Sequence, residues 1–325
     1  MKKRTRLMRM MAAMVALIFM VAGSGHAQDV FPRKPVRLII PFGAGGVNDF
    51  IARLMQQKLF ERWEVPVIVD NRPGAGGNIG AEIVAKALPD GYTLLLASTS
   101  FVVNPALYRN AGYDPFRDFA PVTLAAVSPL VFVAHPSFSA KNLRDVVRLA
   151  KQAPLNYASP GTGTTGHLGM ELFNAMAGLK MQHIPYKGGG PATAALLGGQ
   201  VQFGLTALPP VISHLKSGRL HVIAVTTLKR VALLPAVPTV SESGYAGYQA
   251  DNMNGILVTG GTPKTVVGKL HADITQVLGL AEVGSRLADQ GFEAVANSPG
   301  AFGSYLKSES VKWTQVVRDS GARAD

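Results

Sequence analysis

Residues 155–178 read LNYASPGTGTTGHLGMELFNAMAG, and this stretch decides the fold. LNYAS has the composition of a short strand, and TTGHLGMELFNAMAG repeats apolar residues at helical spacing. Between them, Gly161, Gly163 and Gly166 form a glycine turn that spells G-x-G-x-x-G. A strand, a tight turn and a helix in this order predict one unit of an α/β fold.

The same alternation recurs on both sides of this stretch. Apolar runs such as VRLIIPF (36–42) and YTLLLAS (92–98) read as strands, and VNDFIARLMQQKLFERW (47–63) reads as an amphipathic helix. NIGAEIVAKALPDG (78–91) predicts another helix, with Asn78 as its N-cap. Two helices, PKTVVGKLHADITQVL and PGAFGSYLKSESVKWTQVVRDSG, close the chain. The pattern predicts βαβ units with parallel sheets.

A chain of 325 residues is long enough for two domains. The strand runs divide into two α/β halves, and we predict that the chain leaves the first half near Ala125 and returns near Val225. The predicted division is a signal peptide at 1–27, a first domain made of 28–125 and 226–325, and a second domain at 126–225. A cleft between two such domains, at the carboxyl ends of strands, is where ligands bind.

The first 27 residues have the pattern of a signal peptide. MKKRTRLMR carries five basic residues, an apolar run follows, and Gly25 and Ala27 are small residues before a cut at Gln28. A membrane anchor is the alternative, but the run is shorter than the ~20 residues of a membrane span. Removal of this segment leaves 27 basic against 20 acidic residues, a net charge of +7. Because no basic block remains, nucleic-acid binding has little support, and an anionic small molecule suits the charge better.

The glycine turn at 159–167 also matches part of a dinucleotide-binding fingerprint. Such a fingerprint needs an acidic residue about 20 positions on, to bind a ribose. The corresponding strand, MQHIPYKG, offers only Gln182 or His183 there. A nicotinamide-dependent oxidoreductase therefore rests on the glycines alone, and we predict no cofactor.

Three glycine-rich turns connect a predicted strand to a predicted helix: PFGAGGVND, NRPGAGGNIG and SPGTGTTGH. Such turns direct backbone N–H groups and the positive end of a helix dipole toward an anion. Thr162, Thr164 and Thr165 add hydroxyl donors. For any single turn, glycines that merely permit a tight bend are an equally good explanation. Three turns with clustered threonines favour a carboxylate or phosphate receptor.

Residues typical of catalysis or of metal binding are sparse. The chain has no cysteine, and its histidines lack metal-ligand spacing, so we predict no metal site. His167 stands out because it falls in the first turn after the threonine-rich loop. Asp49 falls in a predicted first helical turn, where it either stabilises the helix or contacts a ligand.

Several segments together resemble a known family. VRLIIPFGAGGVNDFIARL, VDNRPGAGGNIGAEIVAKALPDGYTLLLAS, LNYASPGTGTTGHLGMELF, HIPYKGGGPATAALLGGQVQF and KRVALLPAVPTVSESG are similar to the extracytoplasmic solute receptors of the tripartite tricarboxylate transporter family, the Bug receptors of Bordetella. The resemblance runs from Phe31 to the C-terminus. It implies a two-domain periplasmic binding protein of the Venus flytrap, type II-like class, with a small carboxylated solute between the domains and no catalytic residue.

The resemblance also implies which residues bind the ligand. They belong to the loop after the first strand, the end of the third strand, the threonine-rich loop and a variable position after GGQVQF. They are Phe42, Gly43, Ala44, Gly45, Gly46, Asn48, Asp49, Thr99, Ser100, Ser159, Gly161, Thr162, Gly163, Thr164, Thr165, His167, Thr206 and Ala207.

This chain departs from the family at the variable position. Where many members have an Asp-Asn pair, it has Thr206-Ala207. Without that acidic residue we expect a mono-, di- or tricarboxylate ligand that carries no ammonium group. The implied partners are transporter membrane subunits or a sensor kinase, and we expect a monomer. A periplasmic enzyme on the same scaffold is the alternative.

Overall fold

The structure, a computed structural model, describes residues 31–324, and the account below concerns the unit that begins at Lys34. The predicted signal peptide at 1–27 lies outside the described residues. Strands and helices alternate along most of the chain, as the sequence predicts. The strands are β1 (Val36–Ile40), β2 (Val67–Asn71), β3 (Thr93–Ala97), β4 (Phe119–Ser128), β5 (Leu130–Ala134), β6 (Asn156–Ser159), β7 (Gln182–Pro185), β8 (Phe203–Ala207), β9 (His221–Val225), β10 (Asn252–Thr259) and β11 (Glu293–Ala294).

The helices cover the sheets and connect most of the parallel strands. They are α1 (Val47–Trp63), α2 (Asn78–Ala85), α3 (Ser100–Leu107), α4 (Leu143–Gln152), α5 (Thr165–Ala177), α6 (Gly189–Leu197), α7 (Ile212–Lys216), α8 (Lys264–Leu278), α9 (Ala281–Asp289) and α10 (Pro299–Ser320). Within residues 31–324, none of them is both long and apolar enough to cross a membrane.

The first sheet of the described chain has six strands in the order β11-β4-β10-β3-β1-β2. β1 runs parallel to β2 and β3, whereas β10 runs antiparallel to both of its neighbours, β3 and β4. The prediction of parallel sheets is therefore wrong for three of the five strand pairings in this sheet, since β11 also runs antiparallel to β4. A strand buried on both faces shows the same apolar run in either direction, so composition alone does not reveal its orientation.

The second sheet has five strands in the order β7-β6-β8-β5-β9. β6 runs parallel to β7 and β8, and β5 runs antiparallel to β8 and β9. The sheet is therefore mixed, like the first. The carboxyl ends of β6, β7 and β8 share one edge, and each leads into a loop that opens a helix or a 3₁₀ turn.

The chain passes between the two sheets at two neighbouring places. β4 of the first sheet ends at Ser128, and β5 of the second begins two residues later. On the return, β10 begins at Asn252, which pairs with Ser128. Thr226 forms hydrogen bonds with both connecting segments. Its Oγ1 accepts a hydrogen bond from the Leu130 N–H at 2.9 Å, next to the first crossing, and its carbonyl accepts one from the Ala250 N–H at 3.3 Å, next to the second. The predicted division into domains stays a prediction.

Helix α10 contributes side chains to the cores beside both sheets. Phe302 and Leu306, in its first half, pack among buried residues of the first sheet. Trp313 and Val317, in its second half, pack in a cluster that contains Phe132 of the second sheet. One continuous helix therefore joins the two hydrophobic cores.

Two details of the helices differ from the prediction. Asn78 is the first residue of α2, and Gly77 holds the N-cap position, so the N-cap prediction for Asn78 is wrong. The Asn78 Oδ1 instead accepts a hydrogen bond from Asn104 Nδ2 at 2.6 Å, which links α2 to α3. Helix α9 was not predicted, because Gly284 interrupts a segment of only nine residues.

Candidate functional site

The loop between β1 and α1 is organised around the carboxylate of Asp49. This side chain is buried, and its Oδ2 accepts hydrogen bonds from the Gly45 N–H at 2.9 Å and from Arg53 Nε at 2.8 Å. Its Oδ1 accepts a hydrogen bond from Asn71 Nδ2 at 3.1 Å. Burial alone would raise the pKa of Asp49, but these hydrogen bonds hold it below its usual value. The carboxylate therefore shapes the loop from within, as expected of a residue in a first helical turn.

The tip of this loop is more open than its base. Residues 43–46 are exposed, Phe42 is half-buried, and Asn48 is buried with its Nδ2 3.5 Å from the Leu96 carbonyl oxygen. Gly45 has a φ of 76°, a conformation that favours glycine. The exposed backbone of residues 43–46 is thus the part of the predicted site that a solute can reach on this side.

The end of β3 supplies the next two predicted residues, Thr99 and Ser100. The Thr99 hydroxyl accepts a hydrogen bond from the Met253 N–H at 3.1 Å, which ties β3 to β10. The Ser100 Oγ lies 2.9 Å from the Ser98 Oγ, and both serines are buried. These hydroxyls have partners inside the protein, and their contact with a ligand stays a prediction.

The loop from Ser159 to His167 follows β6 and opens α5. Most of its predicted donors bond within the loop: Thr164 Oγ1 donates to the Gly161 carbonyl at 2.7 Å, and the Gly163 N–H donates to His167 Nδ1 at 3.2 Å. Thr164 is the N-cap of α5, and its side chain accepts from the His167 N–H. Thr162 is half-buried in the same turn. The loop is therefore pre-organised by its own hydroxyls and ring nitrogen.

Two stacked histidine rings lie beneath this loop. The centroids of His167 and His183 are 4.0 Å apart with an interplanar angle of 14°, and His183 Nε2 lies 2.6 Å from the Ser159 Oγ. Burial lowers the pKa of His167 to about 4, and burial together with the neighbouring His167 lowers that of His183 to about 3. Both rings are neutral at pH 7. Because Nδ1 of His167 accepts a hydrogen bond, its proton is on Nε2.

The neutral histidine pair predicts a loss of stability in mild acid. The unfolded chain takes up protons below about pH 6.5, whereas the folded protein does so only near the lowered pKa values, so unfolding is favoured as the pH falls. We expect the free energy of unfolding to fall by on the order of 2 kcal/mol between pH 7 and pH 5. Urea unfolding of the wild type and of His183→Gln at both pH values measures this loss.

The variant His183→Gln is expected to lose less stability than the wild type over the same pH range, and the difference between the two losses is the contribution of His183. The comparison cancels groups present in both proteins, including Asp251, whose pKa burial raises to about 6. The effect of Asp251 on the free energy of unfolding is opposite to that of the histidines, because a raised pKa removes stability as the pH rises from about 4 to 6. Equal losses in the two proteins would show that His183 titrates normally in the fold.

Thr206 and Ala207 lie at the carboxyl end of β8. Ala207 is half-buried. Thr206 is only 1% exposed, and its Oγ1 has no hydrogen-bond partner in the described chain. Among the predicted site residues, Thr206 is the one with a buried hydroxyl that has no hydrogen-bond partner in the described chain.

The predicted residues come together in part. The loop after β6 packs closely against α3, the helix that follows β3: a Cβ added to Gly163 would come within 2.3 Å of Leu107 Cδ2. The same loop contacts β10, because Thr165 Oγ1 donates to Asn252 Oδ1 at 3.2 Å. The loop after β1 and the end of β3 both approach Gly77. A Cβ added to Gly77 would lie 3.4 Å from the Phe42 ring and 3.6 Å from Ser100 Oγ. Asp49, in contrast, faces its own loop.

Sequence reasoning missed two asparagines at this place. Asn252 holds the Thr165 hydroxyl, and Asn104 is buried with an Oδ1 that lacks a partner in the described chain. Asn104 lies in a stretch rich in proline and charged residues, which was not predicted as a helix. Among residues 31–324, no group of three or more histidines and carboxylates is placed to hold a metal ion.

Comparisons with known proteins show what this chain is similar to in sequence and in fold. The model of the tripartite tricarboxylate transporter family receptor matches residues 51–322. The structure of the periplasmic binding protein BugD is 33% identical, with a TM-score of 0.83, over 91% of this chain and 100% of that one. Rpa4515 of R. palustris with adipate is 33% identical, with a TM-score of 0.85, over 90% of this chain and 99% of that one. MatC of Rhodopseudomonas palustris with bound malate is 30% identical, with a TM-score of 0.82, over 88% and 100%.

Proposed function

This chain belongs to the family of tripartite tricarboxylate transporter receptors, and we propose from that premise that it binds a small carboxylate through the loops at the carboxyl ends of its strands. Solved relatives hold adipate and malate, both of which are dicarboxylates. The fold is that of periplasmic binding proteins such as BugD. The proposed location is the periplasm, reached through a signal peptide at 1–27.

The observation that carries the proposal is the loop at 159–167. Its hydroxyls and the His167 ring fix the turn, and α5 begins directly after it at Thr165. The first N–H groups of a helix and the positive end of its dipole favour an anion at this place. Since His167 and His183 are neutral at pH 7, the loop offers hydrogen bonds without a cationic side chain.

We propose that the two sheets form the cores of two domains, with boundaries at 28–125, 126–225 and 226–325. The proposed ligand site then lies where the carboxyl ends of β1 and β3 face those of β6 and β8. Closure over the ligand would exclude water and strengthen its hydrogen bonds. A closed surface is also what transporter membrane subunits or a sensor kinase would recognise in a monomeric receptor.

A periplasmic enzyme on the same scaffold is less well supported. Ser159 and His183 lie at the 2.6 Å separation of a nucleophile and its base. However, Ser159 is completely buried, and the low pKa of His183 makes its ring a weak base near neutral pH. The pair is better explained as a support for the glycine loop.

The proposal predicts that carboxylates raise the melting temperature of the protein spanning 28–325. A ligand at 100 times its Kd adds about 2.7 kcal/mol to the free energy of unfolding. For a chain of this length that corresponds to a rise in Tm of about 4 °C. A thermal-shift panel of aliphatic and aromatic carboxylates, amino acids, phosphate and NAD measures it. A rise with phosphate or NAD alone, or with amino acids above all carboxylates, would contradict the proposal.

A further inference from the structure

The buried hydroxyl of Thr206 is the starting point of a more specific inference. Thr206 lies on β8, is 1% exposed, and its Oγ1 makes no hydrogen bond within the described residues. A buried hydroxyl without a partner is unfavourable, so native proteins rarely retain one without a reason. A ligand atom that bonds to this hydroxyl would supply such a reason.

The hydroxyl lies beside the start of helix α6. A Cβ built on Gly189, the first residue of α6, would be 3.8 Å from Thr206 Oγ1. The N-cap residue is Gly188, whose φ is 114°, and no side chain caps this helix. Thr193 does not serve the helix start either, because its hydroxyl donates to the Gly189 carbonyl at 2.8 Å. The start of this nine-residue helix and an unpaired hydroxyl therefore lie next to each other.

This place adjoins the loop at 159–167. The Gly188 N–H donates to the Pro160 carbonyl at 2.8 Å, and the Tyr186 N–H donates to the Ser159 carbonyl at 3.1 Å. The loops that open α5 and α6 are thus bonded side by side. Lys187 is exposed in the second of them and adds a positive charge. A ligand bound at the first loop would therefore lie beside the second.

We propose that Thr206 Oγ1 and the N–H groups of Gly189 and Gly190 form a second anion-receiving subsite, which takes the far carboxylate of a dicarboxylate. This inference rests on the proposed function, because it assigns the second end of the same ligand. A hydroxyl and backbone N–H groups donate to a carboxylate but leave an ammonium group without a counter-charge. Thr206 then determines specificity: it favours dicarboxylates over monocarboxylates of equal length and over amino acids.

The test compares dicarboxylates with monocarboxylates of the same chain length. Calorimetric titrations of the protein use succinate against butyrate, glutarate against valerate, and adipate against hexanoate. For the pair that binds best, we expect the dicarboxylate to bind at least tenfold more tightly. In Thr206→Val, which keeps the shape and removes the hydroxyl, the dicarboxylate should weaken about tenfold while the monocarboxylate is unchanged.

Two further variants separate a binding role from a structural one. Thr193→Val makes the same change nearby, at a hydroxyl that already bonds to Gly189, and should leave the ratio of the two affinities unchanged. Thr206→Ser restores the hydroxyl and should restore the ratio. Should Thr206→Val not fold, a wild-type ratio in Thr206→Ala would overturn the subsite.

The outcomes distinguish this inference from the proposed function. Binding of dicarboxylates with an unchanged ratio in Thr206→Val would overturn the subsite and leave the carboxylate receptor standing. Failure of all six acids to bind would overturn the subsite, and it would contradict the carboxylate receptor only if no carboxylate of the thermal-shift panel raised the Tm either. Equal affinity of the wild type for both members of each pair would also overturn the subsite.

Discussion

Replacing Trp313 by alanine is expected to lower the free energy of unfolding by about 3–5 kcal/mol, the range of a fully buried tryptophan. The indole is completely buried on α10 among residues of the second core, and its Nε1 donates to Glu309 Oε2 at 2.8 Å. The change leaves a cavity at the place where α10 joins the two cores. Urea unfolding followed by far-ultraviolet circular dichroism measures the loss.

Val311→Ala, on the same helix, is the control for Trp313→Ala. Val311 is 74% exposed, so its truncation should change the free energy of unfolding by less than about 0.5 kcal/mol. A loss below about 1 kcal/mol in Trp313→Ala would show that α10 does not pack on the second core as described. Similar losses in both variants would show that a general weakening of the helix is the cause.

Replacing Gly166 by alanine is expected to damage both stability and ligand binding. A Cβ at this position would come within 2.5 Å of the Leu205 carbonyl oxygen and 2.7 Å of Pro160 Cδ. The start of α5 must therefore move away from β8, at a cost of about 1–3 kcal/mol. Because α5 carries the loop at 159–167, we expect the carboxylate that binds best to lose at least tenfold in affinity, measured by calorimetry.

The matched control for this glycine is Gly268→Ala in α8. Gly268 is exposed, and an added Cβ meets no atom within 4 Å. Alanine favours a helix by about 0.5–1 kcal/mol over glycine, so this variant should be more stable than the wild type. If Gly166→Ala also gained stability, the close approach of α5 to β8 would be contradicted.

The sequence predicted the elements of the fold better than their directions. Glycine turns at the ends of β1, β2 and β6 were predicted to open helices, and each does so, the second through a 3₁₀ turn at Ala75–Gly77. The direction of β10 could not be predicted, because seven of its eight residues are buried and burial on both faces leaves no pattern that marks a strand's direction. Only pairing with β3 and β4, distant in sequence, determines its orientation.

The candidate site was predicted as a set of loops but not as a set of contacts. The threonine-rich loop was recognised from its composition, whereas the bonds of its hydroxyls depend on neighbours that sequence spacing does not reveal. Thr165, for example, bonds to Asn252 across a separation of 87 residues. The stacking of His167 on His183 likewise arises only when β7 lies beside β6. The proposed role of the start of α6 could not be predicted, because YKGGG resembles no known phosphate loop.

The position of β10 between β3 and β4 has a consequence for the order of events during synthesis. Every strand of the second sheet is made before residue 226, whereas the first sheet lacks an inner strand until residues 252–259 have been made. A nascent chain that ends before Asn252 has no partner for the facing edges of β3 and β4. Unpaired strand edges can pair with strands of other chains, so the chain is prone to aggregate in the interval between the synthesis of residue 226 and that of residue 252.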